Sequence, residues 1–285
     1  MSTEDVDPVL HSDEQIADDG DSSIGTDAAS STTSISSSIL NYRHENGRTY
    51  HRYKDGKYHL PNDQVENERL DLQHNLFLLT FGDKLGLAPP NDPAAKVGRV
   101  LDVGTGTGIW AIDYADEHPE TEVIGVDLSP IQPAFNLKPG GYTEIQEIGG
   151  TILSDDGTLT PDHALSKWCI LLGEAFTKLG SMSIEFDKIK AIMQEVGFID
   201  VDDKRFKWPT NSWPRDKKYK ELGTWNNYNS SNALESLSMA SFSRAHGWSR
   251  EEVTTFLVDV RKDLNNPSIH AYNPICSIYG KKPDA

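Results

Sequence analysis

The chain has 285 residues, 36% of them hydrophobic, and a formal net charge of −17 at pH 7. This length allows one large domain with extensions, or two small domains. The negative charge argues against a nucleic acid or an anionic membrane surface as a partner, because both would repel the chain.

No apolar run is long enough to cross a membrane, and the first residues lack the basic start and apolar core of a secretory signal. Cys169 and Cys276 are isolated and show neither metal-binding nor redox spacing. Isolated cysteines of this kind are typical of a reducing compartment. We therefore expect a cytoplasmic protein, with the nucleus as the alternative.

Acidic residues, serines and threonines dominate residues 1–40, and the first lysine or arginine of the chain is Arg43. Such a segment buries too little apolar surface to offset the entropy lost on ordering. We predict a disordered tail, with a docking or phosphorylation tail as the alternative.

Residues 41–95 are predicted to form a helical leader, or cap, in front of the main domain. Apolar side chains recur at roughly helical spacing between Asp63 and Leu79. Three prolines at positions 89, 90 and 93 then end the helical pattern.

The most informative motif of the chain is Val-Leu-Asp-Val-Gly-Thr-Gly-Thr-Gly-Ile, residues 100–109. An apolar strand pattern ends in glycines at positions 104, 106 and 108, and a helical pattern begins directly behind them. Glycine leaves no Cβ to block a ligand and permits the backbone angles of a tight turn. The motif predicts a strand–turn–helix unit that places a nucleotide-like ligand at a helix N-terminus.

A carboxylate for the ribose of that ligand is expected at Asp127, which ends the next apolar strand pattern about twenty residues further on. The glycine spacing differs from the Gly-x-Gly-x-x-Gly of dinucleotide sites, and Asp102 precedes the first glycine. These details favour S-adenosylmethionine as the cofactor over a dinucleotide. The predicted cofactor-binding residues are Asp102, Gly104, Thr105, Gly106, Thr107, Gly108, Asp127 and Leu128.

A second set of motifs is spread between Tyr42 and Pro283. It consists of residues 42–51 (Tyr-Arg-His-Glu-Asn-Gly-Arg-Thr-Tyr-His), 60–63 (Leu-Pro-Asn-Asp), 69–71 (Arg-Leu-Asp), 208–211 (Trp-Pro-Thr-Asn), 213–218 (Trp-Pro-Arg-Asp-Lys-Lys), 237–240 (Leu-Ser-Met-Ala) and 268–272 (Ser-Ile-His-Ala-Tyr). Together these segments resemble the fungal LaeA-like methyltransferases of secondary metabolism.

The resemblance implies a class I methyltransferase fold for residues 96–285. This is an α/β fold with a Rossmann-like, doubly wound sheet that ends in an antiparallel strand pair. The resemblance also implies S-adenosylmethionine as the methyl donor and work in fungal secondary metabolism.

The resemblance is interrupted between Phe135 and Asn136. The family pattern continues there with two more strand–helix units, or about 60 residues. These units supply the acid that contacts adenine and the strand beside the first strand. We therefore expect a shortened cofactor domain, with a skipped exon or a gene-model error as the alternative origin of the junction.

Beyond the junction, the patterns predict a strand over residues 142–148, helices over 161–179 and 184–196, and strands over 198–201 and 269–279. The last two strands are expected to close the sheet as an antiparallel pair. A helical insertion is predicted over 217–264, with helices over 217–246 and 249–264 and Ser249 as the cap of the second. Residues 204–220 mix basic and aromatic side chains and are interpreted as a solvated hairpin and lid.

Methyl transfer depends mainly on alignment of the acceptor with the methyl group, so no catalytic residue is assigned. The candidate substrate-lining residues are Tyr50, His51, Trp213 and Trp225. The alternative is that these side chains only pack the leader and the insertion onto the domain. The histidines at positions 44, 51, 59 and 74 match no zinc pattern, so no metal is predicted.

The predicted function is S-adenosylmethionine-dependent methylation of oxygen or nitrogen on a small-molecule intermediate of fungal secondary metabolism. One alternative is a catalytically impaired, LaeA-like regulator that acts through protein partners, which a shortened cofactor domain would favour. A second alternative, an NAD-dependent oxidoreductase, is disfavoured by the glycine spacing.

Overall fold

The leader forms a small hairpin followed by a long helix. A computed structural model describes residues 42–51, 58–127, 137–181 and 185–284. Strands β1 (Arg43–Glu45) and β2 (Arg48–Tyr50) pair antiparallel across a turn at Asn46 and Gly47, both with positive φ. Helix α1 (Gln64–Phe81) starts where the Asp63 carboxylate accepts the Glu66 N–H at 3.1 Å. The predicted leader helix is confirmed to within two residues at its end.

The predicted strand–turn–helix unit is present. It consists of β3 (Arg99–Val103), α2 (Ile109–Glu117) and β4 (Glu122–Val126). Strands β3 and β4 pair in parallel, with Val103 opposite Val126. The glycine turn and Asp127 therefore lie side by side at the carboxyl ends of the two strands.

A four-stranded antiparallel sheet forms the second part of the fold. Its strands are β5 (Tyr142–Ile148), β6 (Leu153–Ser154), β7 (Ile199–Pro209) and β8 (Ala271–Lys281). Strand β8 lies between β5 and β7 and pairs antiparallel with both. The predicted closing pair is thus present as β7 and β8.

Strand β7 is much longer than predicted, and the interpretation of residues 204–209 as a hairpin is wrong. Successive side chains of β7 point to opposite faces of the sheet. On one face they are apolar, and Phe206 and Trp208 pack there against the leader helix. On the other face, Arg205 and Lys207 form ion pairs with Asp187 and Asp155. The basic side chains obscured a half-buried strand in the sequence.

In the part of the chain that the structure describes, four helices follow β6. They are α3 (Ala164–Lys178), α4 (Phe186–Glu195), α5 (Lys217–His246) and α6 (Arg250–Leu264). The predicted start of α3 at residue 161 is wrong, because His163 Nδ1 accepts the Thr160 N–H at 2.9 Å and closes a turn there. The insertion helices match the prediction, and Ser249 caps α6 in a capping box with Glu252.

The core is built on both faces of the four-stranded sheet. On one face, Leu76 of α1 and Leu222 of α5 pack with Trp208 and Ile275. Helix α4 covers the other face, and a third cluster joins α3, α5 and α6. The leader helix is therefore part of the main core.

Among the described residues, strand pairing does not continue from β3 to β5, so the sheet is in two pieces rather than one. Side chains bridge the pieces through the loop between α1 and β3. Leu85 O accepts both Trp110 Nε1–H of α2 at 2.9 Å and Gln146 Nε2–H of β5 at 2.8 Å. The Glu144 carboxylate of β5 accepts the Leu87 N–H at 2.8 Å.

Candidate functional site

The glycine turn after β3 has an open backbone. Gly104, Gly106 and Gly108 have φ values of 80°, 53° and 82°. A Cβ added at Gly104 or Gly108 would meet no atom within 4 Å, so the turn borders open space. Asp127 Oδ2 accepts the Gly106 N–H at 2.9 Å, which fixes that carboxylate against the turn.

Two polar groups at the turn, the Asp102 carboxyl and the Thr105 hydroxyl, lie next to each other. Among the described residues, their buried atoms Asp102 Oδ2 and Thr105 Oγ1 have no other hydrogen-bond partner. Burial raises the pKa of the Asp102 carboxyl above its ordinary value, while a hydrogen bond with the Thr105 hydroxyl partly offsets this effect and the charge of Asp127 adds to it. Gly125 of β4 lets the Thr105 side chain approach closely, since an added Cβ would lie 2.6 Å from Thr105 Oγ1. Polar side chains beside bare backbone fit a polar, nucleoside-like ligand.

Of the eight predicted cofactor-binding residues, the structure brings seven together at this turn: Asp102, Gly104, Thr105, Gly106, Thr107, Gly108 and Asp127. Leu128 lies outside the described residues. The assignment of cofactor contacts to these seven stays a prediction.

Helix α1 supports the turn in a way that the sequence analysis missed. Thr107 Oγ1–H donates to Asp71 Oδ1 at 2.6 Å, and His74 Nε2 lies 2.8 Å from Asp113 Oδ2 of α2. A Leu70 methyl group lies 3.6 Å from the position of a Cβ at Gly106. Residues 69–71 belong to the motifs that resemble the LaeA-like family. That resemblance is the feature of the sequence that could have indicated their contact with the glycine turn.

The leader places two side chains near Asp127. Burial lowers the pKa of His51, while the charge of Asp127 opposes this effect. Burial and the charges of Asp127 and Glu66 raise the pKa of Tyr58. The rings of His51 and Tyr58 are 6.1 Å apart at an angle of 69°. Both leader side chains are thus within electrostatic range of the carboxylate predicted to bind ribose.

The four predicted substrate-lining residues do not form one group. Tyr50, 1% exposed, lies next to His51 in the leader. Trp213 packs on His270 at 4.9 Å and borders a cavity of about 270 Å³ near the start of β8. Trp225 on α5 is 48% exposed. Within the described ranges, no contact joins either tryptophan to the glycine turn, and their substrate role stays a prediction.

No cluster of three or more His, Cys, Asp or Glu side chains suited to a metal ion occurs in the described part of the chain. In the same residues, no helix combines the length and apolar character needed to span a membrane.

Comparison with known proteins identifies relatives along most of the chain. A family model described as a methyltransferase domain matches residues 72–235. The methyltransferase pytC of Aspergillus terreus is 34% identical over 304 residues, covering 90% of this chain and 93% of pytC. The secondary metabolism regulator laeA of Aspergillus fumigatus is 32% identical over 311 residues, covering 91% of this chain and 82% of laeA.

Among solved structures, phosphoethanolamine N-methyltransferase 2 of Haemonchus contortus in complex with S-adenosyl-L-methionine is 15% identical, with a TM-score of 0.35. That similarity covers 76% of this chain and 52% of the other.

These findings confirm three predictions: a methyltransferase fold, S-adenosylmethionine as the cofactor, and relatives in fungal secondary metabolism. The match to the methyltransferase model includes the glycine turn and Asp127. The chain therefore belongs to the methyltransferase-domain family, in the group that includes pytC and laeA.

Proposed function

We propose that this protein transfers the methyl group of S-adenosylmethionine to an oxygen or nitrogen atom of a small-molecule intermediate in fungal secondary metabolism. The observation that carries the proposal is the hydrogen bond from the Gly106 N–H to Asp127. It fixes a carboxylate beside bare backbone and open space, as a nucleoside ligand requires. The name of the relative pytC also supports an enzyme.

The residues of this chain would hold and orient the cofactor. One Asp127 oxygen is used by the Gly106 N–H, which leaves the other to accept a ribose hydroxyl. The Asp102 carboxyl, half-buried beside Thr105 at the same turn, offers a second acceptor. The bound cofactor supplies an activated methyl group, so the protein needs mainly to align the acceptor and exclude water. The leader is the segment proposed to exclude water, because the charge of Asp127 acts on its His51 and Tyr58.

A second function is supported by a different observation. Strands β3 and β4 carry three exposed apolar side chains, Leu101, Val103 and Ile124. The relative laeA is named a regulator of secondary metabolism. An exposed apolar sheet face is suited to protein contact. A regulator that acts through a protein partner is therefore the alternative proposal.

Transfer of labelled methyl groups separates the two proposals. The full chain is incubated with methyl-labelled S-adenosylmethionine and a small-metabolite extract of fungal culture. We expect label in the low-mass fraction, lost with Asp127→Ala and kept with Asp116→Ala, an exposed acid on α2. A protein that binds the cofactor but leaves every extract unlabelled would contradict the enzymatic proposal.

A further inference from the structure

A cavity of about 270 Å³ lies where β8 begins, between the end of β7 and the start of α5. Four aromatic rings line it, those of Trp213, Tyr219, His270 and Tyr272. We call it the aromatic cavity. None of the residues of the glycine turn lines it, so its ligand need not be the cofactor.

The four-stranded sheet separates the aromatic cavity from the leader helix. Phe206 and Trp208 of β7 pack against α1, and side chains alternate between the two faces of a strand. Lys207 therefore lies on the opposite face, where it lines the cavity. Tyr272 is opposite Pro209 in the pairing of β7 with β8, so it shares the face of Lys207. Because the glycine turn contacts α1, the aromatic cavity is a second site.

Hydrogen bonds hold the walls of the aromatic cavity in place. The Tyr272 hydroxyl donates to Asp155 Oδ1 at 2.7 Å, and His270 Nδ1 lies 2.5 Å from Asp156 Oδ2. Trp213 Nε1–H donates to a backbone carbonyl of β8 at 2.9 Å, and the Trp213 ring packs on that of His270 at 4.9 Å. The rings are thus positioned before a ligand arrives, which reduces the entropy lost on binding.

The charged side chains of the aromatic cavity leave an excess of negative charge. Among the described residues that line it, Lys207 is the one lysine or arginine, and it is ion-paired with Asp155. Hydrogen bonds from His270 and Thr158 hold the pKa of Asp156 well below its ordinary range, so this carboxylate is charged at pH 7. With histidine counted as neutral, two carboxylates and one ammonium favour a cationic ligand.

The aromatic cavity already places one cation against an aromatic ring. Lys207 Nζ lies 4.4 Å from the centroid of the Tyr272 ring, within the range of a cation–π contact. Within the described ranges, no lysine or arginine lies over the ring of Trp213 or Tyr219 in this way. These two rings are therefore available to a cation from solution, and tryptophan is the strongest aromatic partner for one.

We propose that the aromatic cavity binds a small organic ammonium ion, with its charged group against Trp213 and Tyr219 and beside Asp156. Aromatic rings with a nearby carboxylate suit methylated ammonium groups, whose methyl groups contact the ring faces. The size agrees, because a cavity of about 150 Å³ already admits benzene. An anion would be repelled by Asp156, and aromatic rings offer no oxygen ligands for a hard metal ion. The proposal does not depend on the proposed function.

Choline and its neutral isostere 3,3-dimethylbutan-1-ol test the proposal, because they differ only in a carbon atom that replaces the charged nitrogen. Each is titrated into the full chain by calorimetry and by the proton NMR signal of its three methyl groups. We expect choline to bind at least about tenfold more tightly, with an upfield shift of that signal by the aromatic rings. Equal affinity, tighter binding of the alcohol, or no binding of choline would overturn the proposal.

The substitution Tyr219→Leu removes one ring of the aromatic cavity but keeps an apolar side chain. Tyr219 is 43% exposed, and its backbone N–H, which donates to the cap Asp216, is unaffected. We expect choline affinity to fall about threefold or more with the Tm unchanged, as loss of one cation–π contact implies. Tyr228→Leu, at a tyrosine 61% exposed on the same helix, is the matched control and should change neither. Equal choline affinity in the two variants would contradict the site.

The substitution Asp156→Asn tests the charge. We expect choline affinity to fall about threefold and the affinity of the alcohol to stay the same, as for a partly exposed ion pair. Asp116→Asn, at an exposed acid of α2, is the control. Binding of S-adenosylhomocysteine should be the same in all of these variants, because the sheet separates the two sites. Loss of alcohol and choline binding together would show that Asp156 acts through the fold and would contradict its role.

Discussion

At the residue scale, the cofactor turn depends on backbone that only glycine adopts without strain. Gly106 has φ of 53° and donates its N–H to Asp127. A side chain at this position is strained in the left-handed region and would also contact Leu70 of α1. The turn is thus held between the carboxylate of Asp127, directly after β4, and the leader helix.

The substitution Gly106→Ala should weaken cofactor binding by about tenfold or more and destabilise the fold by about 1–2 kcal/mol, from left-handed strain. Calorimetric titration and thermal unfolding measure the two effects. Gly173→Ala in α3 is the control, since its φ is not positive and an added Cβ meets open space. It should leave binding unchanged and stabilise the helix slightly. Equal binding by the Gly106 variant would refute the role of the turn.

At the element scale, Asp63 joins the hairpin to α1. Its carboxylate caps the helix at the Glu66 N–H and accepts the Arg48 Nη2–H at 2.7 Å. The hydrogen bond from Arg48 is the largest cause that lowers the pKa of Asp63. Because the folded pKa lies below the unfolded one, this stabilisation is complete above the ordinary carboxyl pKa of about 4. It is lost as pH falls through the folded pKa.

The substitution Asp63→Asn keeps a good helix cap but removes the ion pair. At pH 7 we expect a loss of about 1 kcal/mol, allowing for solvent screening of a partly exposed pair. The difference from the unchanged protein should shrink as pH falls below about 4, because the native carboxyl then protonates. Urea unfolding of both proteins between pH 7 and about pH 3 measures this difference in the free energy of unfolding. A difference that stays constant with pH would show that the ion pair contributes nothing.

Most helices and the strands β3, β4 and β5 were predicted because their signals are local, whereas the leader hairpin β1–β2 and the short strand β6 were not predicted. The observed bounds of α5 equal the predicted ones, and α6 begins one residue after its predicted start. Ser249 and the acidic residues that follow it mark the start of α6 in the sequence. The supporting contacts were missed because their partners are distant in sequence. Asp71 bonds Thr107 across 36 positions, and Glu144 bonds Leu87 across 57. Nothing in a local pattern signals such pairs.

At the scale of the whole molecule, the two pieces of sheet coincide with the predicted interruption of the family pattern. The alignment with pytC spans 304 positions although it covers 90% of this chain, so several tens of positions have no counterpart here. The expectation that strand–helix units are missing after Phe135 is supported by both facts and stays a prediction. Contacts through the loop before β3 connect the pieces instead.

The substitution Glu144→Gln tests that connection. The carboxylate accepts bonds from Leu87, Ala88, Asn91 and Ser277, and an amide cannot accept on its nitrogen. We expect a loss of about 1–3 kcal/mol and faster hydrogen exchange at the Leu87 and Ala88 amides. Glu174→Gln, exposed on α3, should change neither. Unaltered exchange would show that other contacts join the two sheets.

Hydrogen exchange should also differ between the two sheets. No side chain of β3 or β4 is fully buried, whereas β8 has most of its residues buried between β5 and β7. We expect β3 and β4 amides to exchange faster than those of β8, and saturating cofactor to slow them selectively. Uniform exchange across both sheets would contradict this picture.

The measurement that tests the account most directly is calorimetric titration of the full chain with S-adenosylmethionine. We expect micromolar binding that Asp127→Ala abolishes and Asp116→Ala preserves, because only Asp127 is fixed against the glycine turn. A folded, monodisperse protein that binds no S-adenosylmethionine, or an Asp127→Ala variant that binds as well as the native chain, would contradict it.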